Sequence, residues 1–255
     1  MFRIFTLAAL ALGLSALPAF AAPPAPRETL KASKDVLNEL NDKSATAIPK
    51  ALMDNAEAVV IFPNTLKAGV VVGGRIGHGV AIVRDKDKGW GDIRFLDLGG
   101  ASVGFQVGIQ STDVVLVFKN RKGLERILDG KAKLKLGADA SVAAGPLGRE
   151  AELATDALLK AEIFSYSRSR GLFAGVSLEG VVLEVNSETN ATFEKDTSEG
   201  TKQAAEELKS RISLLNAEKR PVEMGPGAKP TIILPVEPPP TSSGPVRRFF
   251  RRIRD

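Results

Sequence analysis

Between Gly99 and Phe118 the sequence GGASVGFQVGIQSTDVVLVF restricts the fold more than any other stretch. Ala101, Val103, Phe105, Val107 and Ile109 share one parity, while Ser102, Gly104, Gln106, Gly108 and Gln110 share the other. Alternation with period two predicts a strand with one apolar face and one small, amide-lined face. Val114 to Phe118 is apolar without alternation, which predicts a strand covered on both sides. Ser111-Thr112-Asp113 then reads as a tight turn joining two neighbouring strands. The stretch is scaffold, so chemistry has to be sought elsewhere.

The surrounding sequence extends the same theme. Ala58–Phe62, Gly69–Arg75, His78–Arg84 and Trp90–Leu98 read as short strands, with Asp85-Lys86-Asp87-Lys88-Gly89 as a polar turn. Strand follows strand without intervening helix, which predicts an antiparallel meander and excludes a doubly wound α/β fold. Lys131–Val142, Ile163–Tyr166, Leu172–Val176 and Val181–Val185 add strand material, and Gly123–Leu128 reads as a short helix. Glu150–Lys160 fits either helix or extended chain. Before the strands, Leu30, Val36, Leu37 and Leu40 place a narrow apolar stripe on a helix from Glu28 to Leu40, and Pro49 opens a second short helix through Asn55. After them, Ala205, Leu208, Ile212 and Leu215 predict a closing helix over Gln203–Ala217. The fold class is α+β: a β-rich, mainly antiparallel, strongly bent or barrel-like sheet with N-terminal helices and a closing C-terminal helix.

Both ends of the chain differ from this body. Arg3, the apolar run Ile4–Leu17 and Ala19-Phe20-Ala21 form a positive start, an apolar centre and a small-residue cleavage site, which predicts a secretory leader over 1–21 and a periplasmic destination. The sequence has 0 cysteines, so no disulfide, lipid-acylated cysteine or cysteine-bound metal is available. The domain is expected over 22–220. Eight of the 15 prolines fall in 221–245, marking an extended linker to a tail at 246–255. The formal charge of +5 is concentrated: Arg3 sits in the leader, five arginines face Asp255 in 247–255, and Ala22–Val246 is neutral. A neutral body offers no basic groove for nucleic acid.

Each motif that suggests chemistry has a plainer explanation. Gly73-Gly74-Arg75-Ile76-Gly77-His78-Gly79 resembles a phosphate loop but runs into strand-like Val80–Val83 and lacks the required helix, so its glycines are structural. His78, the 1 histidine, reads as a turn residue without a partner for catalysis. Asp85-x-Asp87 lacks the other ligands of a calcium loop, and no cofactor is called for. In Ser165–Gly171, Arg168 and Arg170 alternate and present two guanidinium groups to an anion from one strand face. The tail is sharper: Val246, Phe249, Phe250 and Ile253 take one side of a helix, and Arg247, Arg248, Arg251, Arg252 and Arg254 the other. So short a helix forms only on contact, and an anionic phospholipid surface supplies that contact. An acidic protein partner in the envelope is the alternative.

Four ordered motifs resemble one known family. Phe62-Pro63 with Lys67-Ala68-Gly69 and Gly73-Gly74, Gly104–Gln110, Leu136–Ala143 and Arg170–Gly180 are similar to the SYLF lipid-binding domain, over roughly Leu30 to Leu215. That family is known from eukaryotic membrane-trafficking and actin-patch regulators that bind phosphoinositides, and from secreted bacterial members. The resemblance implies a non-enzymatic lipid-binding module. Two departures stand out: Glu28–Leu40 is nearly neutral where family lipid binding uses a basic amphipathic helix, and there is no cysteine to acylate. The expected ligand is therefore anionic phospholipid, met by the tail, Arg168 and Arg170.

Overall fold

The computed structural model describes residues 23–41, 47–69, 72–85, 89–103, 108–130, 132–146, 160–169, 172–175, 178 and 180–217. The strands are β1 (Ala58–Gly69), β2 (Val72–Asp85), β3 (Gly89–Val103), β4 (Gly108–Phe118), β5 (Leu134–Lys135), β6 (Val142–Ala144), β7 (Ile163–Ser169), β8 (Leu172–Gly175) and β9 (Val182–Val185). Helices α1 (Pro26–Asn41) and α2 (Lys50–Asp54) precede them, α3 (Arg121–Leu128) follows β4, and α4 (Ser187–Lys195) and α5 (Glu199–Ala217) come last. Among the described residues the 9 strands form one sheet in the order β5-β9-β3-β2-β1-β4-β7-β6, with β8 paired to β7. Among the described strand pairs, β6–β7 is parallel and the others are antiparallel. The expected β-rich, mainly antiparallel α+β architecture is borne out.

The sheet has to curl. Laid flat, its terminal strands β5 and β6 would lie seven strand spacings apart, about 34 Å. From Lys135 to Val142 the chain takes seven steps and reaches no more than about 24 Å. The turn between them stitches the two ends. Leu136 N donates to Val181 O, Gly137 N to Ala140 O with Gly137 at a positive φ of 86°, and Glu162 N reaches Ser141 across on β7's side. A side chain at Gly137 would strain that turn. The Leu136–Ala143 motif therefore closes the sheet.

Curling separates two cores. Val59, Ile61, Val80, Ile82, Phe95, Val115, Val117 and Tyr166 pack with α1, α2 and α5. Ala58, Val60, Phe62, Ala81, Val83, Leu96, Leu98, Val114, Leu116 and Phe118 pack with Leu124 and Ile127 of α3. Helices of 16 and 19 residues cannot fit inside the curl, so the first face is outer and the second inner. Val114–Phe118 is buried on both sides, as its unbroken apolar run predicts. Leu30, Val36, Leu37 and Leu40 of α1 are buried against Leu208, Ile212 and Leu215 of α5, so the apolar stripe of α1 is spent on the core. Lys34 Nζ joins the two helices through Glu207 Oε2 at 2.5 Å.

Three expectations are corrected. The predicted strands Gly69–Arg75 and His78–Arg84 are one strand, because the glycines between them pair with β3 in unbroken register. Gly79 has no room for a side chain, since a Cβ there would meet Ile61 O at 2.3 Å and the Phe62 ring at 2.5 Å. Ser111-Thr112-Asp113 is not a turn but part of β4, and Thr112 and Asp113 are buried with their polarity satisfied across the sheet. Finally, β3 and β4 are not neighbours: β1, β2 and β3 form a meander, and β4 returns beside β1 in Greek-key order.

Candidate functional site

Of the ten residues predicted to bind lipid, Arg168 is described; Arg170 and Arg247, Arg248, Phe249, Phe250, Arg251, Arg252, Ile253 and Arg254 lie outside the described residues. Arg168 sits on β7 directly opposite Asp113 of β4. Its Nε donates to Asp113 Oδ2 at 2.7 Å, and its terminal nitrogens reach Asp113 and, from α1, Glu39 Oε2. Asp113 Oδ1 also accepts from Asn64 N at 2.9 Å. Burial raises the Asp113 carboxyl above its ordinary value, the Asn64 amide pulling the other way, and burial lowers the Arg168 guanidinium. Arg168 thus ties α1 to the sheet through carboxylates of its own chain.

His78 is likewise a strand residue with a partner, not a turn residue. It faces Asp97 across β2 and β3, with Nδ1 and Asp97 Oδ1 at 2.7 Å. Asn186 Nδ2 donates to both Asp97 oxygens at 3.0 Å, while its Oδ1 accepts from Thr189 N at 2.8 Å and caps α4. Asn190 clamps the same helix by exchanging hydrogen bonds with the Phe95 backbone. The pairing resembles the base and orienter of a catalytic triad, but no hydroxyl is bonded to the imidazole among the described residues, and the Asp97 carboxylate is occupied in anchoring a helix.

The end of the curl bearing Lys67 and Arg75 is different. A bulge in β1 between Phe62 and Thr65 inserts one residue, held by Asn64 at a positive φ of 51° and by the absence of an N–H at Pro63. The insertion inverts the strand. Before it the even residues Ala58, Val60 and Phe62 face inward. After it Thr65 and Lys67 do, while Leu66 is turned out and 42% exposed. Lys67 lies opposite Arg75 of β2 and Gln110 of β4, both of inner parity. Arg75 is half-buried, burial lowers its guanidinium, and its Nε has no hydrogen-bond partner among the described residues. Two cations therefore face one another across adjacent strands on the inner side of the sheet.

The other end is plugged by α3, whose Leu124 and Ile127 complete the inner core. Residues 119–135 carry seven lysines and arginines against Glu125 and Asp129, a local charge of +5 within a neutral body. Arg121 is taken up by Glu57, at 3.4 Å, and by the Arg84 carbonyl, and Lys133 pairs with Glu184 at the surface. Lys135 is exposed. Averaging charge over the whole body conceals this concentration, although the run is plain in the sequence.

Comparison with known proteins supplies the context. Residues 99–203 match the family model described as "Ysc84: Las17-binding protein actin regulator". An "SH3 domain-containing protein PJ696.02" of Schizosaccharomyces pombe is 39% identical over 170 residues, 66% of this chain and 36% of that protein. "LAS seventeen-binding protein 3" of Saccharomyces cerevisiae is 36% identical over 183 residues, 68% of this chain and 39% of that protein. The human "SH3 domain-containing YSC84-like protein 1" is 37% identical over 146 residues, 57% of this chain and 42% of that protein. The chain thus spans about two fifths of the length of these relatives. No solved structure matches it. The resemblance carried by the motifs holds: this chain carries a domain of the Ysc84, or SYLF, family.

Proposed function

We propose that this chain is a non-enzymatic module that binds anionic phospholipid membranes peripherally in the periplasm, to which the leader at 1–21 directs it. The observation that carries the proposal is the +5 charge of residues 119–135 around α3, set against −5 over the rest of Ala22–Val246. The apolar side of α3 is already the plug of the inner core, so the contact is electrostatic and does not require the helix to insert. Each lysine or arginine near such a surface contributes about 1 kcal/mol. The α1 stripe is buried and does not take part, which fits its near-neutral polar side. The tail residues Val246–Arg254 add a second contact of the same sign, with Phe249 and Phe250 at the headgroup boundary.

Co-sedimentation of the chain lacking 1–21 with phosphatidylglycerol or cardiolipin vesicles tests this reading, with and without 246–255. Binding to anionic but not phosphatidylcholine vesicles, weakened by salt and only reduced by removing the tail, is expected. Failure of both forms to pellet at low salt ends the lipid reading. A second reading draws on the family model's description and on one relative's name, both of which mention Las17 binding: here the basic surfaces grip an acidic protein partner. Capture of such a partner that depends on these cations while vesicles do not compete favours it.

A further inference from the structure

We infer that α3 is a hinged lid: at an anionic membrane it swings off the sheet, and a lipid acyl chain takes the place of Leu124 and Ile127 against the inner face. The inference rests on the membrane contact proposed above for its trigger and adds a ligand to it. Alone, α3 is a poor helix. It has 8 residues, fewer than the roughly 12–15 that an isolated helix needs in water, and Gly123 lies within it. Its N-cap residue, Asn120, makes no side-chain cap bond and instead donates from Nδ2 to Glu162 Oε1 at 3.1 Å. The helix is held by burial of Leu124 and Ile127 in the inner core, so lifting it and unwinding it are one event.

Both ends of α3 suit a pivot. Asn120 is extended, at φ −138° and ψ 158°, where the chain leaves β4, and Gly130 holds a positive φ of 65° with open space where a side chain would stand. Between them Arg121 is a loosely made latch. One of its terminal nitrogens donates to the Arg84 carbonyl, but its buried Nε lies 3.4 Å from Glu57 Oε2 and has no hydrogen-bond partner among the described residues. A lipid phosphate offers the paired oxygens that a guanidinium binds as a fork, so an anionic surface competes with Glu57 for Arg121. The side chains packed with the lid are apolar, Phe62, Leu96, Leu98 and Phe118 among them, and an apolar occupant replaces it without stranding a polar group. Leu124 and Ile127 vacate about eight side-chain carbons, the size of an acyl segment, and volume-conserving exchange is what a packed core accepts.

Hydrogen exchange of the whole chain, followed over Arg121–Leu128 and over β1, tests the lid in two arms. One arm adds phosphatidylglycerol or phosphatidylcholine vesicles; the other adds decyl phosphate below its micelle concentration, or butyl phosphate. Phosphatidylglycerol and decyl phosphate should each speed exchange over α3 at least tenfold and saturably, with β1 unchanged. Phosphatidylcholine, which lacks net charge, and butyl phosphate, which is too short to fill the space, should not. Glu57→Gln releases the latch and should speed α3 exchange roughly two- to fivefold with no ligand present. Exchange over α3 that stays at or below its free rate in both arms removes the lid, while pelleting with the vesicles decides the membrane contact separately. A response to decyl phosphate without pelleting keeps the lid and ends the membrane reading. Equal responses to the two alkyl phosphates, or a response to vesicles alone, overturn the acyl chain as occupant. A rise over β1 as large as that over α3 overturns the inference as general unfolding.

Discussion

The two ends of the curled sheet are made by the same strands and have opposite electrostatic economies. At the α3 end the interior is closed by Leu124 and Ile127, and Lys133 and Lys135 beside the helix stand exposed. At the other end the cations point inward from β1 and β2, and the exposed Leu66 lies on the outside. One end is a basic surface over an apolar plug; the other is a cationic interior beside an apolar rim. The difference teaches that net charge, zero over Ala22–Val246, says little about what such a domain can hold. What matters is which side of the sheet each charge is placed on.

Substitutions can break this contrast, and the largest effect belongs to the plugged end. Phe118→Ala empties a buried ring position above α3 and should cost about 3–5 kcal/mol in chemical denaturation. Asp113→Ala removes the carboxylate that Arg168 and the Asn64 amide share, and a loss of about 3 kcal/mol is expected, with α1 loosened in hydrogen exchange because Arg168 is then less firmly tied to β4. Asn186→Ala removes the α4 cap and the clamp on Asp97, at about 1 kcal/mol, without touching either cationic surface.

Alkaline titration sharpens the packing side of the comparison. Tyr166 is 0% exposed, its hydroxyl donates to Pro146 O at 3.2 Å, and burial raises its pKa. Because the folded value exceeds the unfolded one, its contribution is complete below the ordinary pKa of about 10 and is lost as pH rises above it. It is the 1 tyrosine of the chain, so ultraviolet absorbance should show phenolate appearing only together with unfolding. Tyr166→Phe should remove that part of the alkaline instability.

Much of the fold was readable because burial leaves a period in the sequence. The two-sided run Val114–Phe118 and the stripes of α1 and α5 gave strands and helices where the structure has them. Helix α4 escaped notice although Asn186 and the first-turn Glu188 mark its start, because it carries little apolar periodicity. The misplaced turn at Ser111-Thr112-Asp113 has a different cause: the polarity that suggested a turn is satisfied by Thr65, Asn64 and Arg168, which are remote in sequence. The cross-strand pairs were invisible for the same reason. Lys67 faces Arg75 only because one inserted residue in β1 shifts the register, and His78 meets Asp97 only through β-pairing. Periodicity reveals elements; cross-strand register, which decides the sites, has no local signature.

The central claim is that a balanced domain meets anionic lipid through the charge gathered at its α3 end. Vesicle co-sedimentation of the chain lacking 1–21, compared with its Lys133→Glu/Lys135→Glu variant across a salt series, tests it most directly. Wild type is expected to pellet with phosphatidylglycerol vesicles at low salt, to release as salt rises, and to bind at least tenfold more tightly than the variant, whose melting temperature is unchanged. Equal pelleting of the two proteins, or no pelleting of either, would contradict it.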